Sequence, residues 1–566
     1  MTTRILSYLT KLVPLVFLVA FFFYPLATIA ARGLAPDGLI DLSAFGKIIG
    51  SPFYLDTLWF TLWQATVSTL LTVIAAMPAA YVFAHYNFRG KALIHALTTI
   101  PFVLPTVVVA ASFSALIGPR GWINELLKSL LHVDYAPLDI QNTIWIILLA
   151  HIFYNFAIVL RIAGGFWSNL DPQIENAARV LGANRWRTFL GVTLPLLRPA
   201  LLAAALLVFI FDFTSFGVIL ILGGPQFNTI ETAIYRKTQI AFDLPLATAL
   251  SIVQLIGTFA LMTIYTRLQA RAAVPLDLRP RQITQRQPST RREKAIIGIV
   301  IGSMLVLLLS PLMALAARSI VVDSHLALDN YLNLATNPRG SVLFVPPLTA
   351  LGNSVLFAAV TMLIALSVGL LAAYSSPQMK QMKPPKTRLP NLLNQLHLRT
   401  WLEPLWMLPL GASAVTLGFG FLIGLPSLRS SWLLMPLAHS LVAFPFVVRT
   451  ITPALRSIRS NLREAASVLG ASPLRVWREI DLPIIGRASL IGGTFAFAVS
   501  MGEFGATAMI ARAEMPTLPY AIFRYLSQPG SANYGQAMAM STLLMIVVSI
   551  GLSAIERFRF GDVGEF

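Results

Sequence analysis

Cysteine is absent from all 566 residues, which excludes disulfides, thiolate metal sites and cysteine nucleophiles. Charge is scarce as well. Only 12% of residues are charged against 56% hydrophobic, more apolar surface than the core of a soluble protein of this size can hide. The composition is that of a polytopic membrane protein. Acidic residues number 24 against 42 Lys and Arg, for a formal net charge of +18. The basic residues are spread over many short loops without an aromatic-interleaved patch, which argues against nucleic acid and for the basic bias of cytosolic loops. A Gly-x-x-x-x-Gly-Lys-Ser/Thr phosphate loop is also missing, so the chain has no such site for hydrolysing ATP itself. Gly223-Gly224-Pro225 is too short for one and reads as a turn.

What the chain has in quantity is apolar runs of spanning length. They fall at 12–31, 57–84, 92–118, 140–162, 199–222 and 245–268, and again at 295–317, 352–375, 401–424, 432–452, 486–510 and 536–555. The first exceeds a signal-peptide core and is expected to stay as an uncleaved helix. Placing both termini and alternate loops in the cytosol puts 31 Lys and Arg inside and 11 outside, which predicts cytosolic termini. Residues 223–244 and 511–535 then face outward. The expected fold is all-α, with about twelve transmembrane helices in two parallel six-helix halves, residues 1–268 and 295–566, joined by a cytosolic linker at 269–294. Two local features are open to two readings each. The basic loop Ser376 to Thr400 suits anionic lipid or a partner subunit, or is a solvated loop obeying the charge bias. Trp122 to Leu131 is an interfacial helix or an outer docking platform.

The chain also repeats itself. Asp171 to Arg236 returns without a gap as Arg459 to Arg524 at a constant offset of 288, which pairs Gly182 with Gly470, Leu194-Pro195 with Leu482-Pro483 and Phe216-Gly217 with Phe504-Gly505. Each copy begins with a short helical segment, Glu175-Asn176-Ala177-Ala178 or Arg463-Glu464-Ala465-Ala466, in which paired alanines keep one surface slim. A glycine four residues on permits the turn that ends the helix. Mixed apolar and basic residues follow, then Leu-Pro and a span. A short helix with apolar side chains outward suits a groove in a partner protein.

These residues resemble the Glu-Ala-Ala loop of permease subunits from ATP-binding-cassette (ABC) importers that depend on a solute-binding protein. The resemblance implies the type I importer permease fold. It also implies that Asn176, Ala177, Ala178 and Gly182, and Glu464, Ala465, Ala466 and Gly470, couple to an ATPase subunit. The first copy departs from the pattern, since Asn176 holds the acidic position and Glu175 stands one residue early. Further implied are two copies of that ATPase, which uses ATP and Mg while this chain binds no cofactor, an extracytoplasmic solute-binding protein, and residence in the lipid bilayer of a bacterial inner membrane. The chain would be a conduit and not an enzyme. The alternative is a secondary transporter of the major facilitator type, although the loop between the second and third spans, His85 to Lys91, lacks that family's acidic residue.

The fused two-half layout resembles thiamine permeases first and ferric-iron permeases second, with Leu148 to Asn155 and Ser215 to Gln226 among the phrases leaning to thiamine. Asp212 and Glu503 are the acids well inside the spans. The offset pairs Asp212 with Ser500 and Ser215 with Glu503, three positions apart and so at similar depth. An intramembrane acid faces a cavity or binds a neighbouring helix. Asp212, Ser215, Ser500 and Glu503 are thus expected beside a translocation path for a cationic solute, or in packing contacts.

Overall fold

The computed structural model describes residues 2–35, 38–272, 285–322, 325–337, 342–375 and 404–559. Among them, 11 helices are long and apolar enough to cross a membrane, or 12 if Pro404–Gly411 and Ala414–Gly424, bent by 94°, form one span. The first half contains α1 (Thr10–Leu34), α2 (Pro52–His85), α3 (Thr106–Ile117), α4 (Trp122–Leu131), α5 (Ile144–Trp167) and the short α6 (Pro172–Val180). It ends with α7 (Leu194–Phe213), α8 (Gly217–Leu222), α9 (Ile230–Gln239) and α10 (Leu244–Ala272). The second half contains α11 (Arg291–Ser319), α12 (Pro347–Tyr374), α13 (Ala414–Gly424), α14 (Leu434–Ser457) and the short α15 (Ser460–Val468). It closes with α16 (Leu482–Gly502), α17 (Gly505–Ile510), α18 (Leu518–Leu526) and α19 (Ser531–Arg559). A two-residue antiparallel ladder, Val321–Val322 on His325–Leu326, is the one sheet among the described residues. The basic loop from Ser376 to Thr400 lies outside them.

The repeat is carried into three dimensions. Helix α2 packs on α5 and α7 as α12 packs on α14 and α16. Before each Leu-Pro a five-residue π-helical stretch appears, Phe189–Thr193 in one half and Trp477–Asp481 in the other. Proline has no N–H to give the carbonyl four residues back, and the widened turn accommodates that loss. The halves are interlocked: α1 packs against α12 and α13, while α11 packs against α2 and α3. One apolar core runs through both. The stretch joining the halves is tied down at its end, where Arg286 exchanges backbone hydrogen bonds of 2.9 Å with His85 and Asn87 and its guanidinium pairs with Glu293.

Besides the bend within 401–424, three further apolar runs that read as continuous spans are broken. Residues 92–118 are interrupted at Leu104-Pro105, 199–222 at Thr214 to Phe216, and 486–510 at Glu503-Phe504. The segments after the last two breaks also differ from simple outer loops. Thr229 and its repeat mate Thr517 cap helices α9 and α18, whose Ile230 to Ile234 and Leu518 to Ile522 turn mostly buried faces into the bundle.

Candidate functional site: repeated loops and buried histidine clusters

Helices α6 and α15 have the same length and end in the same way. Each ends on a glycine in the left-handed region, Gly182 at φ 88° and Gly470 at φ 81°. In each the glycine N–H returns to the carbonyl three residues back, and the next N–H to the carbonyl five back, Ala183 to Ala178 and Ala471 to Ala466. This Schellman closure satisfies the last carbonyls and throws the following residues outward. Val180, Leu181, Val468 and Leu469 are consequently 87–88% exposed, and the mates Trp186 and Leu474 are each 72% exposed. Two matching apolar tips are left uncovered, the kind of patch that marks a protein contact. Asn176, Ala177, Glu464 and Ala465 are exposed, while Ala178 and Ala466 are half-buried.

The early acid of the first copy has a place of its own. Glu175 accepts a 2.8 Å hydrogen bond from Thr193, and its mate Arg463 donates at 2.8 Å to Asp481, the mate of Thr193. Both pairs lash a short helix to the foot of the next span, one with a neutral donor and the other with an ion pair. Asn176 and Glu464 point to solvent instead.

Deeper in the bundle, the four predicted path residues fall into two clusters, each centred on a histidine. In the first half His151 bridges Ser68 at 2.9 Å and Ser215 at 2.8 Å, with Asp212 3.5 Å away. Asp212 accepts from Asn155 at 2.7 Å, and its backbone carbonyl takes the Gln64 amide at 2.7 Å. In the second half His439 bridges Ser500 at 2.8 Å and Thr507 at 3.0 Å, with Glu503 at 3.3 Å, and Ser500 reaches Thr361 at 3.2 Å. All of these side chains are buried except Ser215, which is half-buried. The clusters are not equivalent. Glu503 also takes the backbone N–H groups of Ala506 and Thr507 and so caps α17, whereas the second carboxylate oxygen of Asp212 is buried without a hydrogen-bond partner. The first cluster joins three helices and the second four, each at the break where its span is interrupted, with an imidazole able to donate or accept at both ends. The histidines carry no motif of their own. The signal that relates them is the offset, since 151 and 439 differ by the same 288.

Another buried acid lies outside the spanning helices. Glu231, on the second residue of α9, is fully buried and accepts from Gln254 at 2.7 Å and, across the junction of the halves, from Ser413 at 3.0 Å. Burial pushes its carboxyl up to about 8, against the smaller opposing effect of those two hydrogen bonds.

Comparison with known proteins agrees with the repeat. The family described as "Binding-protein-dependent transport system inner membrane component" matches residues 72–274 and 395–558, more than half of the chain. The thiamine transport system permease protein of Escherichia coli (strain K12) is 27% identical over 503 residues, covering 86% of this chain and 87% of its own. That of Brucella abortus (strain 2308) is 28% identical over 533 residues, covering 92% and 91%. A solved chain of a bacterial ABC transporter that imports the acidic polysaccharide alginate aligns with 48% of this chain and 98% of its own at 18% identity and a TM-score of 0.41. With the family matched once in each half and 11 or 12 candidate spans among the described residues, the chain belongs to the binding-protein-dependent ABC importer permeases, as a fused two-half, multi-pass membrane subunit.

Proposed function

We propose that this permease passes thiamine, or a closely similar aromatic cation, from an extracytoplasmic binding protein to the cytosol, driven by two ATPase subunits that dock on the loops around α6 and α15. Similarity to thiamine permeases over 86–92% of the chain carries the choice of solute. The uncovered apolar tips at Leu181 and Leu469 support the docking, and the missing phosphate loop supports hydrolysis of ATP by the partner. Ferric iron is the second choice of solute, resting on the fused two-half layout. The 31-to-11 basic split supports cytosolic termini with α6 and α15 on the same side, and membership of the ABC family replaces the facilitator alternative.

The test is uptake. Expressed with its ATPase and binding protein in a bacterium that cannot import thiamine, the chain should restore accumulation of labelled thiamine, and excess unlabelled thiamine should compete. Accumulation of iron without thiamine would overturn the choice of solute.

A further inference from the structure

Four aromatic rings close on one another where the halves meet. Phe216 and Phe504 lie with centroids 5.4 Å apart and planes inclined by 26°. Phe504 meets Phe523 at 5.3 Å, Phe523 meets Tyr235 at 6.4 Å, and Tyr235 returns to Phe216 at 5.4 Å. The offset of 288 pairs Phe216 with Phe504 and Tyr235 with Phe523, so the circuit is centred on the relation that exchanges the halves. Phe216 and Phe504 stand at the two span breaks, and Tyr235 and Phe523 on the inward-turned helices α9 and α18. Gly217 permits the approach, because a Cβ there would collide with Thr106 and press on the Phe504 ring at 3.1 Å. Phe216 and Phe504 are buried while Tyr235 and Phe523 are half-buried, so the circuit is sealed at one pair and reachable at the other.

Glu231 lies one turn before Tyr235 on the same side of α9. Its two hydrogen-bond partners are both neutral, and no Lys, Arg or His among the described residues pairs with it. The Gln254 oxygen beside it is buried with no partner. Arg524, the residue after Phe523, lies over the Tyr520 ring and acts on Tyr235. Glu231, one helical turn from Tyr235, is by contrast a buried carboxyl with no cation of its own, and with the π faces it complements a positively charged, flat solute.

We propose that Phe216, Tyr235, Phe504 and Phe523 form the closed gate of the conduit, and that the parted rings, with Glu231 beside them, make a passing site for an aromatic cation. Because each half supplies two rings, the gate opens only when the halves move relative to one another. An arriving cation stacks on the half-buried pair first and supplies the positive partner that Glu231 lacks. The gate stands on ring geometry alone, and the passing site rests on the thiamine reading.

The whole complex, with its ATPases, is reconstituted in liposomes. Replacing both buried rings, Phe216→Ala with Phe504→Ala, should let entrapped choline leak without ATP about tenfold faster than from wild-type vesicles, and the single Phe504→Ala change should leak to a lesser degree. Vesicles as tight as wild type, from variants that still copurify with the ATPases, overturn the gate. Replacing the reachable pair by leucine, Tyr235→Leu with Phe523→Leu, keeps an apolar plug and removes the π faces. Those vesicles should stay tight and hydrolyse ATP normally when the loaded binding protein is added, with thiamine delivered per ATP falling about tenfold. Unchanged delivery overturns the passing site. If the alanine pair leaks while wild type carries no thiamine, the gate stands and the choice of solute fails.

Discussion

Ionising Glu231 would strand a negative charge among neutral neighbours, and the consequence has a sign. Its carboxyl titrates near 4.5 in an unfolded chain and at about 8 when buried, so the folded protein holds the proton more tightly. The stabilisation is complete below about 4.5 and is lost as pH rises to about 8. Glu231→Gln, neutral throughout, should be free of this loss. Between about pH 5 and about pH 8.5 the thermal midpoint in detergent should fall further for wild type than for the variant. Equal falls would show that Glu231 does not titrate in this window. The histidine clusters give a second contrast. His439→Ala leaves Glu503 its two backbone donors, whereas His151→Ala leaves Asp212 with the Asn155 hydrogen bond and one bare oxygen. Each change should cost about 1–3 kcal/mol, with the larger loss at His151. A larger loss at His439 in unfolding of the detergent-solubilised protein would contradict the inequality of the two clusters. None of these three residues stands out by its own pattern. A histidine inside an apolar run has no periodicity to betray it, and Glu231 sits in a short polar segment whose burial comes from contacts made across the junction.

At the scale of elements, α6 and α15 were the legible part, because paired alanines, glycine and Leu-Pro recur in register and each has a local physical meaning. Gly182 and Gly470 do adopt the conformation their place implies, at φ 88° and 81°. A Cβ at either would meet nothing within 4 Å, so the cost of substitution is backbone strain alone, roughly 1–2 kcal/mol for a non-glycine residue. Gly470→Val should therefore leave the spans folded while lowering the amount of ATPase that copurifies. Full recovery of ATPase with Gly182→Val and Gly470→Val together would remove the docking role. Arg463→Ala acts differently: it frees α15 from Asp481 without touching the exposed face. ATPase should still copurify, and solute moved per ATP should fall several-fold. The breaks after Phe213 and Gly502 are not legible, since only Thr214-Ser215 in one and Glu503 in the other interrupt an apolar run that resumes at once. What breaks the second is Glu503, folded forward onto the N–H groups of α17, a tertiary choice that composition does not carry.

Across the whole molecule, the number of spans and the doubling follow from hydropathy and from one constant offset, but the way the halves grip each other does not. Helices α1 and α11 each cross to the opposite half, which hydropathy cannot show because an apolar run reads the same against lipid or protein. Interlocked in this way, the chain presents α6 and α15 as two matching exposed tips on one body, and on the docking proposal a single chain should hold two ATPases. The absence of cysteine makes this directly measurable. Leu181→Cys and Leu469→Cys, introduced separately, place one thiol on each exposed tip, and a bifunctional reagent then tests what each tip touches in the assembled complex. The expected result is that both positions cross-link to the ATPase and that the native mass of the complex corresponds to one permease chain with two ATPase subunits. Cross-linking from only one tip, or a mass with a single ATPase, would contradict the paired-loop assignment.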